Sequence, residues 1–403
     1  MAIASGIAKN LVFKKETTWG TAAGASGAQT LRRVTSDLAL GKEVYESEEI
    51  VSHYQVVDSR DGVRSIAGKI SGELSPGTYS LPIAAAVRKA WTTVADLTGL
   101  TLTFIAGASA ITISRSAGSF LTAGLKKGDV IAVTAGAVNA ANLNKSVMIV
   151  SETALSIAGI VLNGVSMVSE GPIASCTISL RGKKTWAPST GHTDDSFSIE
   201  HWHSDIAQSE LFVGCKFTEL AFSLPPTGMA KFDATVMGRD MVAGTSAYFT
   251  SPTAPTSSGV LAAVNGALTV GGTQVALLTG LNFSVAGGHS AEPVVGSNLY
   301  PFIFAGRVRV KGQATVFFQD AYFRDIFDQE SETDLNAVFT TGNAGMADFM
   351  AVSMPRIKLR GAGKNDGEKG LVQTIPFEAL YNTAGGTGIN EELTTISFQD
   401  SLA

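Results

Sequence analysis

The stretch that decides the fold is FTELAFSLPPTGMAKFDATVMG, residues 217–238. Apolar and polar residues alternate on both sides of a central Pro-Pro-Thr-Gly, which is the pattern of two strands joined by a turn. A stretch of similar design, PRIKLRGAGKNDGEKGLVQTIPFEAL, occupies residues 355–380. Matching Phe222 with Ile357 aligns the two stretches. The chain is therefore expected to contain a repeated β unit.

Each of these stretches is preceded by two further strands and a helix. The segments are SDLAL (36–40), GKISGEL (68–74) and a helix over 81–94 in the first copy, and GLNFSV (280–285), GRVRVKGQATV (306–316) and a helix beginning at Asp320 in the second. The matches of Leu38 with Leu281 and of Gly72 with Gly312 keep a nearly constant spacing. A shared register over this distance indicates a duplication rather than chance.

The first copy carries a surplus of short, apolar, strand-like segments, which we interpret as an inserted small β-barrel. The chain is thus expected to be mainly β, with two tandem β-sandwich or barrel-like domains, each with a flanking helix. The expected boundaries are 1–97 and 186–250 for the first copy, 98–185 for the inserted barrel, 251–259 for a linker rich in Ser, Pro and Thr, and 260–403 for the second copy.

Composition excludes several classes of protein. Thirty Lys and Arg against 35 Asp and Glu give a net charge of −5, the wrong sign for binding nucleic acid by neutralising phosphates. Apolar runs are too short to span a membrane, and the N-terminal sequence lacks a signal peptide, so we expect a soluble chain made in the cytoplasm. Two cysteines cannot form a disulfide framework.

Candidate metal and catalytic groups are few. His201 and His203 would share one face of a strand, with His192 and Asp194 upstream as possible further ligands. We interpret the two histidines as packing or surface residues beside Trp202, while a metalloenzyme built on them stays an alternative. No G-x-S-x-G elbow is present, and we expect no catalytic residue, no metal site and no cofactor.

A glycine-rich segment, Gly361 to Lys364 followed by Gly367, resembles a phosphate-binding loop only superficially. It lacks the Walker spacing and opens no predicted helix, so its backbone N–H groups would not join a helix terminus. We interpret it as the tip of a hairpin.

The segment 42–66 is predicted as a long loop that contacts another subunit. It mixes acidic residues with apolar ones, and exposing so many apolar side chains to water is unfavourable. Packing against its own domain is the alternative. The residues expected to make the contact are Tyr45, Glu46, Glu48, Glu49, Ile50, Tyr54 and Val57.

Several segments resemble tail tube proteins (major tail proteins) of long-tailed bacteriophages. They are KKETTWGTAA (14–23), GELSPGTYSLP (72–82), FEALYN (377–382) and TTISFQD (394–400). The inserted block, with GSFLTAGLKKGDVIAV (118–133) and AANLNKSVMIVSETALSI (140–157), is similar to a small β-barrel that some of these proteins carry. The resemblance covers nearly the whole chain.

This resemblance implies a structural virion protein without enzyme activity, located in the virion tail and made in the host bacterial cytoplasm. It implies rings whose inner strands form a continuous β-barrel, stacked into a tube through which DNA passes without specific binding. Because the chain carries two copies of the domain, we expect a homotrimeric ring with pseudo-sixfold symmetry. The segment 42–66 would reach the adjacent ring, and tail completion and tail tip proteins would be further partners.

The alternative function is a surface or secreted β-sandwich adhesin that binds carbohydrate through the inserted barrel. The absence of a signal peptide disfavours it. Aromatic residues within 98–185 are limited to Phe104 and Phe120, which are few for stacking against sugars.

Overall fold

The computed structural model of the chain describes residues 3–108, 110–275, 277–366, 368 and 370–403. The first elements are β1 (Lys9–Lys15), β2 (Gln29–Thr30), β3 (Thr35–Ser36), β4 (Ala39–Glu46), β5 (Ser59–Glu73) and α1 (Ser80–Val87). Six strands follow: β6 (Leu97–Ala106), β7 (Ala110–Arg115), β8 (Val130–Ala135), β9 (Val147–Glu152), β10 (Ser156–Val161) and β11 (Glu170–Leu180). The next are β12 (Lys183–Trp186), β13 (Phe197–His203), β14 (Gln208–Leu224), β15 (Lys231–Gly238) and β16 (Asp240–Gly244).

The remaining elements follow a 3₁₀ turn at Ala263–Asn265. They are β17 (Gly266–Val270), β18 (Thr273–Gln274), β19 (Leu278–Ala286), β20 (Ser290–Ala291), β21 (Ile303–Phe304), β22 (Arg309–Phe317), α2 (Tyr322–Asp328), β23 (Glu332–Thr340), β24 (Phe349–Leu359), β25 (Gly363–Lys364), β26 (Val372–Ala379) and β27 (Ser397–Asp400). The mainly β prediction is confirmed. No helix within the described residues has the length and apolar character needed to cross a membrane.

A central antiparallel sheet runs in the order β4-β5-β15-β14-β19-β22-β26-β24. We call β4, β5, β15 and β14 the first unit, and β19, β22, β26 and β24 the second unit. Each unit has its strands in the same order. Strict alternation along these strands, as at Leu220, Phe222 and Leu224, directs one face into a shared core, while the other face meets solvent.

The registers of the two units also agree. Gly72 of β5 faces Phe232 of β15, and Gly312 of β22 faces Phe377 of β26. Both glycines leave room for an aromatic ring: a Cβ on Gly72 would meet Tyr79, and one on Gly312 would meet Phe377. The helices α1 and α2 each follow the second strand of a unit and pack against the common core.

Two of the residue matches made from sequence are shifted in the structure. Because Phe222 and Leu359 both face the aromatic residue that lies opposite the glycine, Leu359 is the equivalent of Phe222, and the match with Ile357 is wrong by two residues. The match of Leu38 with Leu281 is also wrong. Both shifts are even, so the alternation between buried and exposed residues is the same in either register.

The inserted region forms a closed barrel in the order β10-β7-β6-β11-β8-β9, with its own apolar interior. Leu97 pairs with Ile178, so the two ends of the barrel lie together. Residues 183–185, which the predicted boundary included in the insertion, belong to β12 and pair with β27 outside the barrel. The division of the chain into domains stays a prediction.

The barrel packs on the second part of the chain. Val130 and Met148 of the barrel bury against Val338, Phe349 and Ala351 of β23 and β24. These three residues point away from the main core, so the barrel covers the outer face of the sheet there. The barrel is therefore an integral layer of this part of the protein.

Gln399 of the C-terminal strand fastens the barrel to the sheet. Its side-chain amide accepts a hydrogen bond from the Val130 N–H (2.7 Å) and donates to the carbonyls of Val130 (2.8 Å) and Arg181 (2.7 Å). Gln399 is 3% exposed. Water cannot easily replace these bonds because the site is buried.

A cluster of charged groups is buried near the same contact. Lys184 pairs with Asp129 at 3.1 Å and lies 3.9 Å from Glu392. Glu152 is 6% exposed, and neither of its carboxylate oxygens has a hydrogen-bond partner within the described residues. Burial raises the pKa of Glu152 to about 8, although Lys126 nearby opposes this change. The carboxyl group is therefore neutral at pH 7.

We expect Gln399→Ala to lower the free energy of unfolding by about 2–4 kcal/mol, because it leaves the buried Val130 N–H and the Arg181 carbonyl without these partners. The Val130 carbonyl keeps its hydrogen bond from the Arg181 N–H (3.0 Å). Urea denaturation measures the change. Gln313→Ala, on an exposed position of β22, is the matched control and should change it by less than ~0.5 kcal/mol. Equal effects of the two substitutions would contradict this role of Gln399.

We expect Glu152→Gln to stabilise the protein at pH 8 but not at pH 4. In the unfolded chain the carboxyl ionises near pH 4.5, whereas in the folded protein it ionises near pH 8. The wild type thus loses stability as the pH rises between these values, and glutamine removes the loss. The variant should melt at least about 2 °C higher at pH 8. If the variant and the wild type melted at the same temperature at pH 4 and also at pH 8, Glu152 would not be held neutral.

Candidate functional site

The two units meet along β14, which makes them one continuous sheet. Residues 219–224 of this strand pair with residues 281–286 of β19, and the opposite edge pairs with β15. At the centre of the joint, the rings of Phe222 and Phe283 stack with centroids 4.7 Å apart. The joint therefore combines a hydrogen-bonded ladder with a buried aromatic contact, as in the interior of a single sheet.

The solvent-facing side of the central sheet is polar. Its basic side chains on β24 are each paired with an acidic one: Arg356 with Glu332 (2.7 Å), Lys358 with Glu330 (2.7 Å) and Arg360 with Glu378 (2.8 Å). These pairs reduce the net charge that this part of the face presents to a passing polyelectrolyte.

Strands β4 and β5 continue past the central sheet as a hairpin, which we call the arm (residues 39–65). Residues 66–73 of β5 pair with β15, whereas residues 59–65 lie beyond that ladder. The prediction of a loop over 42–66 is wrong, because β4 extends to Glu46 and β5 begins at Ser59. Long cross-strand pairing keeps this segment extended without a core of its own.

All residues predicted for a subunit contact lie exposed on the arm: Tyr45, Glu46, Glu48, Glu49, Ile50, Tyr54 and Val57. Ile50 is 102% exposed and Tyr54 is 99% exposed. Ile50 and Tyr54 therefore do not pack against their own domain, the alternative interpretation, whereas the Tyr45 ring lies over Gly62 of the facing strand and is 52% exposed. A row of exposed apolar residues is typical of an interaction surface.

The corresponding segment of the second unit, between β19 and β22, folds back onto the first part of the chain. The Arg64 N–H donates to the Asn298 carbonyl (2.8 Å), and Phe302 packs on Trp19 with ring centroids 5.1 Å apart. The ammonium of Lys216 donates to the carbonyl of Ile303 (2.8 Å). The second segment thus touches the base of the arm and the N-terminal part of the chain, although its Val295 is 107% exposed. The distal part of the arm, around Ile50 and Tyr54, is exposed as well.

The two histidines lie on β13 without forming a metal cluster. His201 is 1% exposed, with Nε2 at 2.8 Å from Ser36 Oγ and its ring edge-on to Phe212. Burial lowers the pKa of His201 to about 3, so it is neutral. Asp194 pairs with Lys216 at 2.7 Å. Within the described residues, no group of three His, Cys, Asp or Glu side chains has the arrangement needed to hold a metal ion.

The glycine-rich segment lies in the connection between β24 and β26, as predicted for a hairpin. Gly363 and Lys364 form β25, which pairs with Thr374 and Gln373. Gly367 lies outside the described residues. The segment does not precede a helix, so it provides no phosphate site of the kind found at helix termini.

Sequence patterns did not identify the edge of β24 as a candidate interface. The alternation of Arg356, Lys358 and Arg360 indicates a charged strand face and could have drawn attention to it. Their acidic partners Glu330 and Glu332 come from a distant part of the chain, which only the fold brings close.

Comparison with known families agrees with this architecture. A family model for the phage tail tube protein matches residues 6–379 of the 403. A comparison with curated proteins returned no match. The family match extends over both units and the barrel between them. The resemblance noted from sequence is therefore confirmed, and the chain belongs to the phage tail tube protein family, whose members are structural proteins of the virion tail.

Proposed function

We propose that three copies of the chain form a ring with pseudo-sixfold symmetry and that stacked rings form the tube through which phage DNA is delivered. The observation that carries this proposal is the joint of β14 with β19, which joins two units of the same strand order within one chain. Repeating the same joint between chains would continue the sheet into a closed barrel, and closure removes exposed strand edges.

The internal joint supplies a register for the joint between chains. Thr35 pairs with Ser71, which brings Val34 beside Gly72, where the second unit has Phe283. Val34 is 60% exposed, as expected for an edge that awaits a partner. In the proposed ring, Val34 of one chain lies opposite Leu359 of the next.

The solvent face of the central sheet would line the lumen. Arg356 and Lys358 of this face are neutralised by ion pairs, and Lys231 and Lys311 lie opposite Glu73 and Glu378 on the neighbouring strands. Acidic groups thus offset these cations, so DNA is expected to pass without specific binding. The protein then acts as a conduit rather than an enzyme. Its site of synthesis is the host cytoplasm, and tail completion and tail tip proteins are its further partners.

The domain boundaries fit the same proposal: residues 1–97 with 186–250, and residues 260–403, each contribute one unit, joined by residues 251–259. The barrel within 98–185 covers the outer face of β23 and β24 and would lie outside the tube.

The alternative of a carbohydrate-binding adhesin gains no support, because Phe104 and Phe120 are buried inside the barrel and cannot stack on sugars.

The arm is the proposed contact with the adjacent ring, through Tyr45, Glu46, Glu48, Glu49, Ile50, Tyr54 and Val57. The full exposure of its Ile50 and Tyr54 in the single chain supports a partner that is supplied by assembly. Burying its apolar side chains would stabilise the stack by about 25 cal/mol for each Å² removed from water.

We expect a variant with Ile50→Ser and Tyr54→Ser to fold normally and to stack poorly. Both side chains are exposed, so the melting temperature of the isolated chain should stay within about 2–3 °C of wild type. Electron microscopy should show separate rings or short tubes. Unfolding of the chain would mean that the arm is part of a core. Tubes of normal length would contradict the proposed contact between the arm and the adjacent ring.

We expect Thr35→Cys combined with Lys358→Cys to cross-link assembled tubes under oxidising conditions, because the proposed register sets these positions opposite each other. Non-reducing gels should show covalent species of up to three chains. Each single variant is a control, and the native Cys176 and Cys215 are buried. A ladder reaching six chains would contradict the trimer, and tubes without cross-links would contradict the register.

A further inference from the structure

The outer edge of β24 is occupied in an unusual way. In the first unit, the equivalent edge of β14 carries six residues of β19. On β24, only two of the described residues occupy this edge: Glu332 pairs with Lys358, and Thr333 pairs with Ile357. We call residues 330–333 the edge cap, because they cover this strand edge. The internal joint of β14 with β19 shows that the equivalent edge can pair with a complete strand.

The edge cap is held by exposed ion pairs. The carboxylate of Glu332 accepts two hydrogen bonds from the Arg356 guanidinium, both at 2.7 Å, and Glu330 accepts one from Lys358 at 2.7 Å. The side chains of Glu332 and Glu330 are 40% and 78% exposed. Exposed pairs of this kind contribute little stability and weaken with salt, so the edge cap is held reversibly.

The edge cap is also separated from the rest of β23. A register shift between Thr333 and Leu335 interrupts the ladder with β24 at Asp334. At the other end, Glu330 has a φ of 53°, in the left-handed region that non-glycine residues seldom adopt. A short segment between two such irregularities can move without unfolding the buried part of the strand, which begins at Asp334.

The first unit shows the alternative position of this segment. Phe197 pairs with Cys215 at the start of β13, and the residues just before it leave the edge of β14 to β19. The carboxylates of these residues do not pair with the part of β14 that β19 occupies. Asp194 pairs with Lys216, which precedes that part of β14, and Asp195 pairs with Lys15, both at 2.7 Å. One chain thus contains both arrangements, an edge occupied by a partner strand and an edge occupied by its own cap.

We propose that the edge cap blocks the outer edge of β24 in the free chain and is displaced by residues 34–37 of the next copy when a ring forms. This inference rests on the proposed ring and adds the step that controls it. Within the described residues, β3 and β4 pair with no strand on their outer edge, although the Lys9 ammonium donates to the Ser36 carbonyl of β3 (2.7 Å). Each chain thus has one edge without a paired strand and one capped edge. Capping one of the two suppresses uncontrolled strand-to-strand association.

Replacing Glu330 and Glu332 by Gln tests this proposal, because it removes both ion pairs and keeps the size of the side chains. At low salt, the lag before tube formation should shorten about threefold to tenfold, which corresponds to the loss of two exposed ion pairs. Light scattering and electron microscopy measure it. Glu378→Gln is the matched control, because it removes the ion pair to Arg360 between β26 and β24, away from the edge. A lag equal to wild type or longer in the double variant overturns the proposal.

A variant whose edge cap is fixed by a disulfide tests the converse case, in which the edge of β24 cannot be exposed. Glu332→Cys with Lys358→Cys places two thiols at facing positions of the capped ladder. Once oxidised, this variant should stay unassembled, and a reductant should restore tubes. Assembly of the oxidised variant at the wild-type rate overturns the proposal.

Hydrogen exchange of the unassembled chain separates this inference from the proposed ring. The backbone amide of Ile357, which faces the edge cap, should exchange faster in the Glu330→Gln, Glu332→Gln variant than in the wild type and in Glu378→Gln. The amide of Arg360, which donates to the Pro376 carbonyl on the β26 side, should exchange equally in the double variant and the wild type. Unchanged exchange overturns the edge cap, whatever the assembly result. If exchange rises as expected but neither variant nor wild type forms rings, the edge cap stands and the proposed ring fails.

Discussion

Strand β14 is the constraint on which the rest of the structure depends. Its first half pairs with β13 and β16, and its second half pairs with β15 and β19. The exchange of neighbours takes place where Gly214 has a φ of 67° and donates its N–H to the buried carboxylate of Glu16 (2.8 Å). A side chain at this position would meet the backbone of Gly20 and the side chain of Arg239. Gly214 and the buried Glu16 thus allow a single strand to join β13 and β16 to both units.

The sequence could predict the strands but not their register. Alternation of apolar and polar residues tells which face of a strand is buried, and the strands within residues 217–238 and 355–380 were predicted on this basis. Alternation does not distinguish a strand from the same strand moved by two residues, since both bury the same face. The match of Phe222 with Ile357 failed for this reason. Only the ladders, with an aromatic residue opposite Gly72 and Gly312, define the correspondence.

The two candidate interfaces, the arm and the outer edge of β24, also differed in how far the sequence could predict them. The arm could be found from the sequence, because apolar residues such as Ile50 and Tyr54 occur among glutamates in one contiguous segment. The edge of β24 could not, because its character depends on which strands are missing beside it and on partners such as Glu332 and Arg356 that are distant in the chain. Likewise, no local sequence pattern indicates that the barrel packs on Val338 of β23 and Phe349 of β24.

The covalent link between the two units changes the thermodynamics of assembly. When two surfaces belong to one chain, their effective concentration is fixed by the linker, and their contact costs no loss of translational freedom between molecules. The joint of β14 with β19 therefore forms at any dilution. In the proposed ring, half of the joints are of this kind, so the concentration dependence of ring closure falls on the other half. Those remaining joints then set the concentration at which a ring can close.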